Sequence, residues 1–238
     1  MRIWVITPVY WPKKEWLDQC LQSVKSQTVG AVRHLLVVDG TGYEPPAGVE
    51  VIQLEKNHND FGDTPRHVGI QHARSEGADV IALLDDDNWY EPDHLETAIA
   101  VQQQTGAAFI GTRRSMIHLE TGATLGVCGE CGTGRFADTS AMVYFPASFP
   151  HLSKWGEVEE HALDDRIVWT YLRKHAGEPA LTGKPTLNYR CTHAFHYQQF
   201  GIPTPPDTKT DTRVDEALAR MKAAGRDDLF IEHSLVSA

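Results

Sequence analysis

Cysteine is scarce, with four thiols in 238 residues. That is too few for a disulfide scaffold in a chain of this size and matches a reducing compartment. No stretch reaches the about 18 consecutive apolar residues that a membrane-spanning helix needs. The start, Met1-Arg2-Ile3-Trp4-Val5-Ile6-Thr7-Pro8, has neither a long apolar core nor a small-residue cleavage site. The expectation is therefore no signal peptide, no transmembrane segment and a cytoplasmic protein. Basic residues are in deficit: 22 Lys and Arg face 32 Asp and Glu, for a formal net charge of −10. This argues against a nucleic-acid binder held by phosphate contacts. Repeats and low-complexity blocks are missing too. What is present is 41% hydrophobic residues, enough to bury a sizeable core in one large α/β domain with or without a tail.

The stretch around which the chain is organised is Val80-Ile81-Ala82-Leu83-Leu84-Asp85-Asp86-Asp87-Asn88-Trp89. A short apolar run of this kind reads as a buried parallel strand, and three carboxylates stand at its carboxyl end. Ligands bind at that edge of an open α/β sheet. Clustered acids repel one another, and a divalent cation relieves the cost; hard oxygen ligands suit Mg²⁺ or Mn²⁺. The competing reading is a solvated acidic turn.

The other elements follow in order. Ile3 to Ile6 is a strand, halted by Thr7-Pro8. Lys13 to Gln27 is an amphipathic helix, with Leu17, Cys20, Leu21 and Val24 on one face. His34 to Val38 and Val49 to Leu54 are strands, and Lys56 to Thr64 is a polar loop. Pro65 to Ala73 is a helix with proline in its first turn. Glu91-Pro92-Asp93-His94 opens a helix whose inner face is Leu95, Ala98, Ile99 and Gln102. Ala107 to Gly111 is a strand, Arg113 to Thr139 an irregular Gly-rich segment, and Ala141 to Phe145 a strand. A helix falls within Val158 to Lys174, and Leu187 to Tyr189 is a short strand. Gly201 to Asp211 is a linker before a helix over Arg213 to Ala224. The alternation is that of an α/β protein.

Six motifs in this order resemble the family 2 glycosyltransferases of the GT-A fold. They are Val5-Ile6-Thr7-Pro8-Val9-Tyr10; the helix from Leu17 to Thr28; Val38-Asp39; Pro65-Arg66-His67-Val68-Gly69-Ile70; Asp85-Asp86-Asp87 as the D-x-D element; and Leu163-Asp164-Asp165-Arg166 heading a helix. The resemblance covers about residues 3 to 197. It implies a mixed, mainly parallel sheet flanked by helices, with a GT-A domain over 1–200 and a linker plus short helical tail over 201–238. The chain departs from the pattern in having one Asp before Gly40, an unusually acidic His58 to Asp63, and a Gly-rich Cys128 to Gly134 without a counterpart.

The activity so implied is transfer of a sugar from a nucleoside-diphosphate sugar, with UDP the favoured nucleotide, to an acceptor hydroxyl of a glycan, lipid or small molecule. The ion is Mn²⁺ or Mg²⁺, with Asp87 as first ligand, Asp85 towards the ribose, and Asp86 in the donor site or facing solvent. Asp165 is the candidate base of an inverting reaction, with Asp164 close behind; one of the two caps the helix and one catalyses. Asp39 resembles the acid that accepts a hydrogen bond from the nucleobase, its other role being a turn residue before Gly40. Thr7, Pro8 and Tyr10 line the base pocket, and Arg66 stands near the nucleotide. His193, ahead of His196, is a candidate metal ligand, against a satisfied buried histidine. Trp89 and Trp155 are sugar platforms or packing. Cys128-Gly129-Glu130-Cys131 has no second C-x-x-C to supply the two further ligands that zinc needs; Cys191 with His193 is the one pair that could complete a site, and the preferred reading is two reduced thiols in a flexible loop. A homodimer is compatible with the sequence. The alternatives are a retaining GT-A enzyme, a nucleotidyltransferase making nucleotide sugars, and a sugar- or nucleotide-binding protein without catalysis. The nucleotidyltransferase lacks its Gly-rich basic loop here, where Pro8 to Pro12 stand instead.

Overall fold

The computed structural model describes residues 1–210 and 212–237. Its strands are β1 (Ile3–Val9), β2 (Val32–Val38), β3 (Glu50–Gln53), β4 (Val80–Leu83), β5 (Trp89–Tyr90), β6 (Phe109–Ile117), β7 (Thr124–Cys128), β8 (Met142–Tyr144), β9 (Ala180–Arg190) and β10 (Leu235–Val236). Its helices are α1 (Lys14–Lys25), α2 (Asp63–Ser75), α3 (His94–Thr105), α4 (Asp164–His175), α5 (Ala194–Phe200) and α6 (Arg213–Ala223). One sheet runs β10-β7-β6-β8-β4-β1-β2-β3, and β9 pairs with both β5 and β6. The β4-β1-β2-β3 half is parallel throughout. β8 runs antiparallel between β4 and β6.

The parallel half is buried as the apolar runs require. Val5, Ile6, Leu36, Val37 and Val80 to Leu84 are closed to solvent. Helix α2 lies tightly on β1 and β2. A Cβ added to Gly69 would stand 2.5 Å from Ile6 Cγ2 and 3.1 Å from Val37 Cγ2, so glycine sets the closeness of helix and sheet. That closeness fixes the start of α2, and with it Arg66, beside the end of β4.

Four expectations need correction. β1 does not stop at Thr7-Pro8 but runs to Val9, paired with Val38. β4 pairs with β1 only as far as Ile6, so the side on which proline lacks a donor has no neighbouring strand to disappoint. The segment after Arg113 is not irregular. β6 continues to Ile117 and forms an antiparallel pair with β7, its alternation hidden because a charged residue, Arg114, occupies a buried position. β9 starts at Ala180, well before Leu187, with irregularities before and after Pro185, which pairs with Arg113, the first of them taking in Gly183. Residues 201–210 are more than a spacer. The Lys209 amide donates to Thr192 O at 2.7 Å and Lys209 O accepts from the Ala194 amide at 3.0 Å. Asp211 at the end of the expected linker, and Ala238 at the end of the tail, lie outside the described residues. Ala217, Leu229 and Ile231 of the tail belong to the same buried core as the sheet, and β10 adds to the edge of β7.

Candidate active site

The carboxyl ends of β1, β2 and β4 open into a cavity of about 420 Å³, within the usual range for small-molecule sites. Leu84, past the end of β4, still donates its amide to Ile6 O, and Asn88 N then bonds Asp85 O at 3.1 Å. The chain therefore turns across Asp86 and Asp87, leaving three carboxylates at the sheet edge. Burial and mutual repulsion raise Asp86 well above the carboxylate range. The same causes, burial first and then Asp85, raise Asp87 to about 6, with Lys209 and Arg190 opposing. The described residues donate no hydrogen bond to the Asp87 carboxylate. A partly buried pair of hard oxygen donors whose charge the nearby cations offset only in part fits Mg²⁺ or Mn²⁺. Among the described residues no three His, Cys, Asp or Glu side chains form a complete metal-holding group. Mg²⁺ is commonly held by one or two carboxylates together with substrate phosphates and water.

Asp85 faces the other way. It accepts from Arg66 Nη2 at 2.7 Å, while Arg66 Nη1 reaches Asp164 Oδ2 at 2.9 Å and Phe61 O at 3.0 Å. Asp63 lies 3.6 Å from the same guanidinium and 2.6 Å from His161 Nδ1. One buried cation thus serves three acids, and the Trp155 ring lies beneath it at 5.3 Å. Burial raises Asp63 to about 7 in spite of Arg66. Burial and Asp63 raise Asp164 well above the carboxylate range even with the guanidinium in contact, because the acids outnumber the cation.

Asp164 and Asp165 open α4, after Leu163 at the cap position. Neither is the N-cap expected of one of them, but both sit in the first turn, where the helix dipole favours anions. Asp164 Oδ1 accepts from Asp165 N at 2.6 Å, so both its oxygens are occupied. Asp165 Oδ1 accepts from Arg166 N at 2.7 Å, and its other oxygen takes no hydrogen bond from the described residues. Burial, then the Asp164 charge, raises Asp165 to about 7.

Of the residues anticipated from sequence, Pro8, Tyr10, Asp39, Arg66, Asp85, Asp86, Asp87, Asp164, Asp165, His193 and His196 all line this cavity. Thr7 does not. Alternation along β1 turns its side chain away from Pro8 and Tyr10, into the core, where Oγ1 lies 2.9 Å from His34 Nε2. Asp39 both faces the cavity and holds its own loop, accepting from His58 N and Asn59 N at 3.1 and 3.3 Å. Trp155 is packing, closed to solvent; Trp89 is partly exposed, with Arg190 over its ring at 5.0 Å. The Cys128 and Cys131 thiols are buried rather than in a flexible loop. Cys128 Sγ lies 3.5 Å from His233 Nδ1, and Cys131 Sγ accepts from Asp138 N at 3.4 Å.

Several cavity residues had no sequence signal. Arg114 from β6 is ion-paired to Asp138 at 2.5 Å. Arg166, His161, Lys209 and His233 also reach the cavity. Only Arg166 stood within a recognised motif.

Residues 4–124 match the family model described as glycosyl transferase family 2. A glucosyl-dolichyl phosphate glucuronosyltransferase of Haloferax volcanii is 30% identical over 113 residues, covering 42% of this chain and 33% of that protein. The chain thus spans about a third of that curated relative. The structure of S. aureus TarS 1–349 superposes with a TM-score of 0.63 at 16% identity, over 95% of this chain and 73% of that one. The same protein in complex with UDP-GlcNAc gives 0.60 at 15% identity, over 80% of this chain and 58% of that one. These likenesses show the GT-A fold: a mixed, mainly parallel sheet flanked by helices. The chain belongs to glycosyl transferase family 2.

Proposed function

We propose that the protein is a metal-dependent, inverting glycosyltransferase that moves a sugar from a nucleoside-diphosphate sugar to an acceptor hydroxyl. The observation that carries this reading is the pairing, across one cavity, of the Asp85-Asp86-Asp87 turn with Asp165. UDP is the proposed nucleotide, supported by the UDP-GlcNAc complex of TarS. Pro8, Tyr10 and Asp39 form the wall offered to the base, and Asp85 with Arg66 the wall offered to the ribose and sugar.

The metal assignment rests on Asp87, with His193 as the second protein ligand. Mg²⁺ or Mn²⁺ bound there would offset charge developing on the departing diphosphate. Asp165 takes the acceptor proton. A carboxyl held near 7 by burial still ionises at neutral pH and is a stronger base than an exposed carboxylate. Its unoccupied oxygen is the atom for the task, whereas both Asp164 oxygens are bound. A single base on the acceptor side is the arrangement of a direct displacement, which inverts the anomeric centre.

The test is a thermal-shift panel of UDP, GDP, CDP and dTDP with and without Mn²⁺, on the wild type and on Asp87→Asn. The expected result is stabilisation by UDP that requires Mn²⁺ and disappears in the variant, since a ligand of the native state raises Tm by mass action. A wild type indifferent to every nucleotide would remove the donor and overturn the reading. Product analysis by NMR, once an acceptor is found, decides between inversion and retention.

A further inference from the structure

Besides the acids Asp85, Asp86, Asp87, Asp164 and Asp165, the cavity is lined by a second group, Arg114, Arg166, His196 and His233, with Asp138 as counter-ion to Arg114. Arg114 and Arg166 act electrostatically on both imidazoles, and Arg114 also on Asp165.

This second group is built but not satisfied. His196 is 1% exposed, lines the cavity, and among the described residues neither of its ring nitrogens has a hydrogen-bond partner. Rings of Phe195 at 4.0 Å, Tyr189 at 5.2 Å and His233 at 5.5 Å hold it in place. Arg114 is 2% exposed, stacked on Tyr189 at 4.2 Å, and its Nε likewise has no partner among the described residues. The only side-chain hydrogen bond of Arg166 to the described residues is Nη1 to Leu229 O, at 3.0 Å. Buried donors left unpaired cost stability, and two guanidiniums with two imidazoles form a donor set suited to an oxyanion.

The tail completes this floor. His233 is contributed by the segment before β10. Gly129 N donates to Ser234 O at 2.8 Å, and a Cβ on Gly129 would fall 2.3 Å from Ser234 Oγ. The Gly-rich segment is therefore a seat for the C-terminal strand, and Leu229 O of the same tail holds Arg166.

Resting on the glycosyltransferase reading, we infer that this floor binds an oxyanion, a carboxylate or a phosphate group, carried by the acceptor. The acceptor is assigned because the floor stands beside the proposed base: Arg166 follows Asp165 and donates its amide to Asp165 Oδ1 at 2.7 Å, and Arg114 acts on the same carboxyl. The substrate class is a hydroxyl acceptor bearing an acidic group close to the reacting hydroxyl.

The test uses the full chain with UDP and Mn²⁺ at saturation. Two matched pairs of probes are titrated by calorimetry: methyl β-glucuronide against methyl β-glucoside, and glucose 6-phosphate against glucose. The charged member of at least one pair is expected to bind about tenfold more tightly, the effect of one charge-assisted hydrogen bond. Arg166→Gln and His233→Gln are each expected to bring that ratio within about threefold while leaving the UDP thermal shift in place. Arg166→Lys, which keeps the charge and loses the fork, serves if Arg166→Gln does not fold. Equal binding within both pairs, or a preference that survives every variant, overturns the inference. A parallel titration compares UDP-glucuronate with UDP-glucose. A charge preference seen there and abolished by the same variants moves the oxyanion to the donor sugar and overturns the acceptor assignment. A wild type that takes UDP but shows no charge preference sinks the floor alone; one that ignores UDP sinks the transferase reading first.

Discussion

Asp87→Asn is expected to make the metal-free protein more stable, not less. The Asp87 carboxyl is raised from 3.8 to about 6 by burial and by Asp85. Above both values the folded chain carries a charge that it tolerates poorly, and the difference corresponds to about 3 kcal/mol. Partial exposure of the side chain reduces this to about 1–3 kcal/mol. The sign follows from linkage. The folded-state value lies above the unfolded one, so the folded chain holds the proton longer as pH rises. The penalty is absent below 3.8, grows between 3.8 and about 6, and is complete above about 6. Asparagine removes it and also relieves Asp86, whose raised state owes part to Asp87. For a chain of this length the variant should melt about 2–10 °C higher at pH 8, with the gain gone near pH 4. Differential scanning fluorimetry of metal-free wild type and variant from pH 4 to 8 measures it. The same variant should lose stabilisation by Mn²⁺ with UDP. A variant that is less stable than wild type at pH 8, or whose gain does not shrink on acidification, would refute the electrostatic account of the triple-Asp turn.

Three further outcomes are expected. Asp165→Asn should lower transfer about 10²- to 10⁴-fold, the usual worth of a positioned base, with the UDP thermal shift intact; in the wild type the transfer rate should rise with pH and level off above about 7, where Asp165 is ionised. Arg66→Gln leaves Asp85, Asp164 and Asp63 without their shared cation and should destabilise the fold by about 3–5 kcal/mol at pH 8 in urea titrations; the loss should be smaller at pH 5, where the raised Asp63 and Asp164 carboxyls accept protons. Gly69→Ala gains helix propensity of about 1 kcal/mol. It also forces a methyl to within 2.5 Å of Ile6 Cγ2, so a net loss of about 1–2 kcal/mol is expected from overpacking, and a stabilised variant would show that α2 has room to move.

What could be read from sequence was what local pattern carries. The run from Val80 to Leu84 and its three acids, the Leu17 to Val24 face of α1, and the acids heading α4 each announce themselves within a dozen residues, because strand and helix periodicity is local. The direction of Thr7 was misjudged for a local reason as well: β1 continued through Pro8, and the pleat turned Thr7 inward. The positive side of the cavity was invisible for a different reason. Arg114 and Asp138 are 24 residues apart, and Cys128 and His233 are 105 apart. Neither pair leaves a periodicity, and a buried arginine in β6 actively disguises its strand. The Gly-rich segment had no legible purpose because its meaning lies in the C-terminal strand that sits on it.

The proposed division of labour between Asp164 and Asp165 rests on this long-range wiring rather than on either residue's own position. Adjacent acids at one helix start share the same dipole and nearly the same burial. They differ in what is brought to them. Arg66, 98 residues away from Asp164 in sequence, ties that residue to Asp85 at the end of β4, so Asp164 becomes a fixed strut between the donor-side turn and the helix. Its proton balance is then governed by competition with Asp63 for a single guanidinium. Asp165 is spared that competition. It keeps an oxygen without a donor among the described residues and a value near 7, and its neighbouring cations are Arg166 and Arg114 rather than Arg66. Two chemically identical neighbours are thereby given different surroundings by their partners. If Arg66 is the cause, Arg66→Gln should blur the distinction. With the strut released, Asp164 becomes available as a base, and an Asp165→Asn background should lose less additional activity on adding Arg66→Gln than the single effects would sum to.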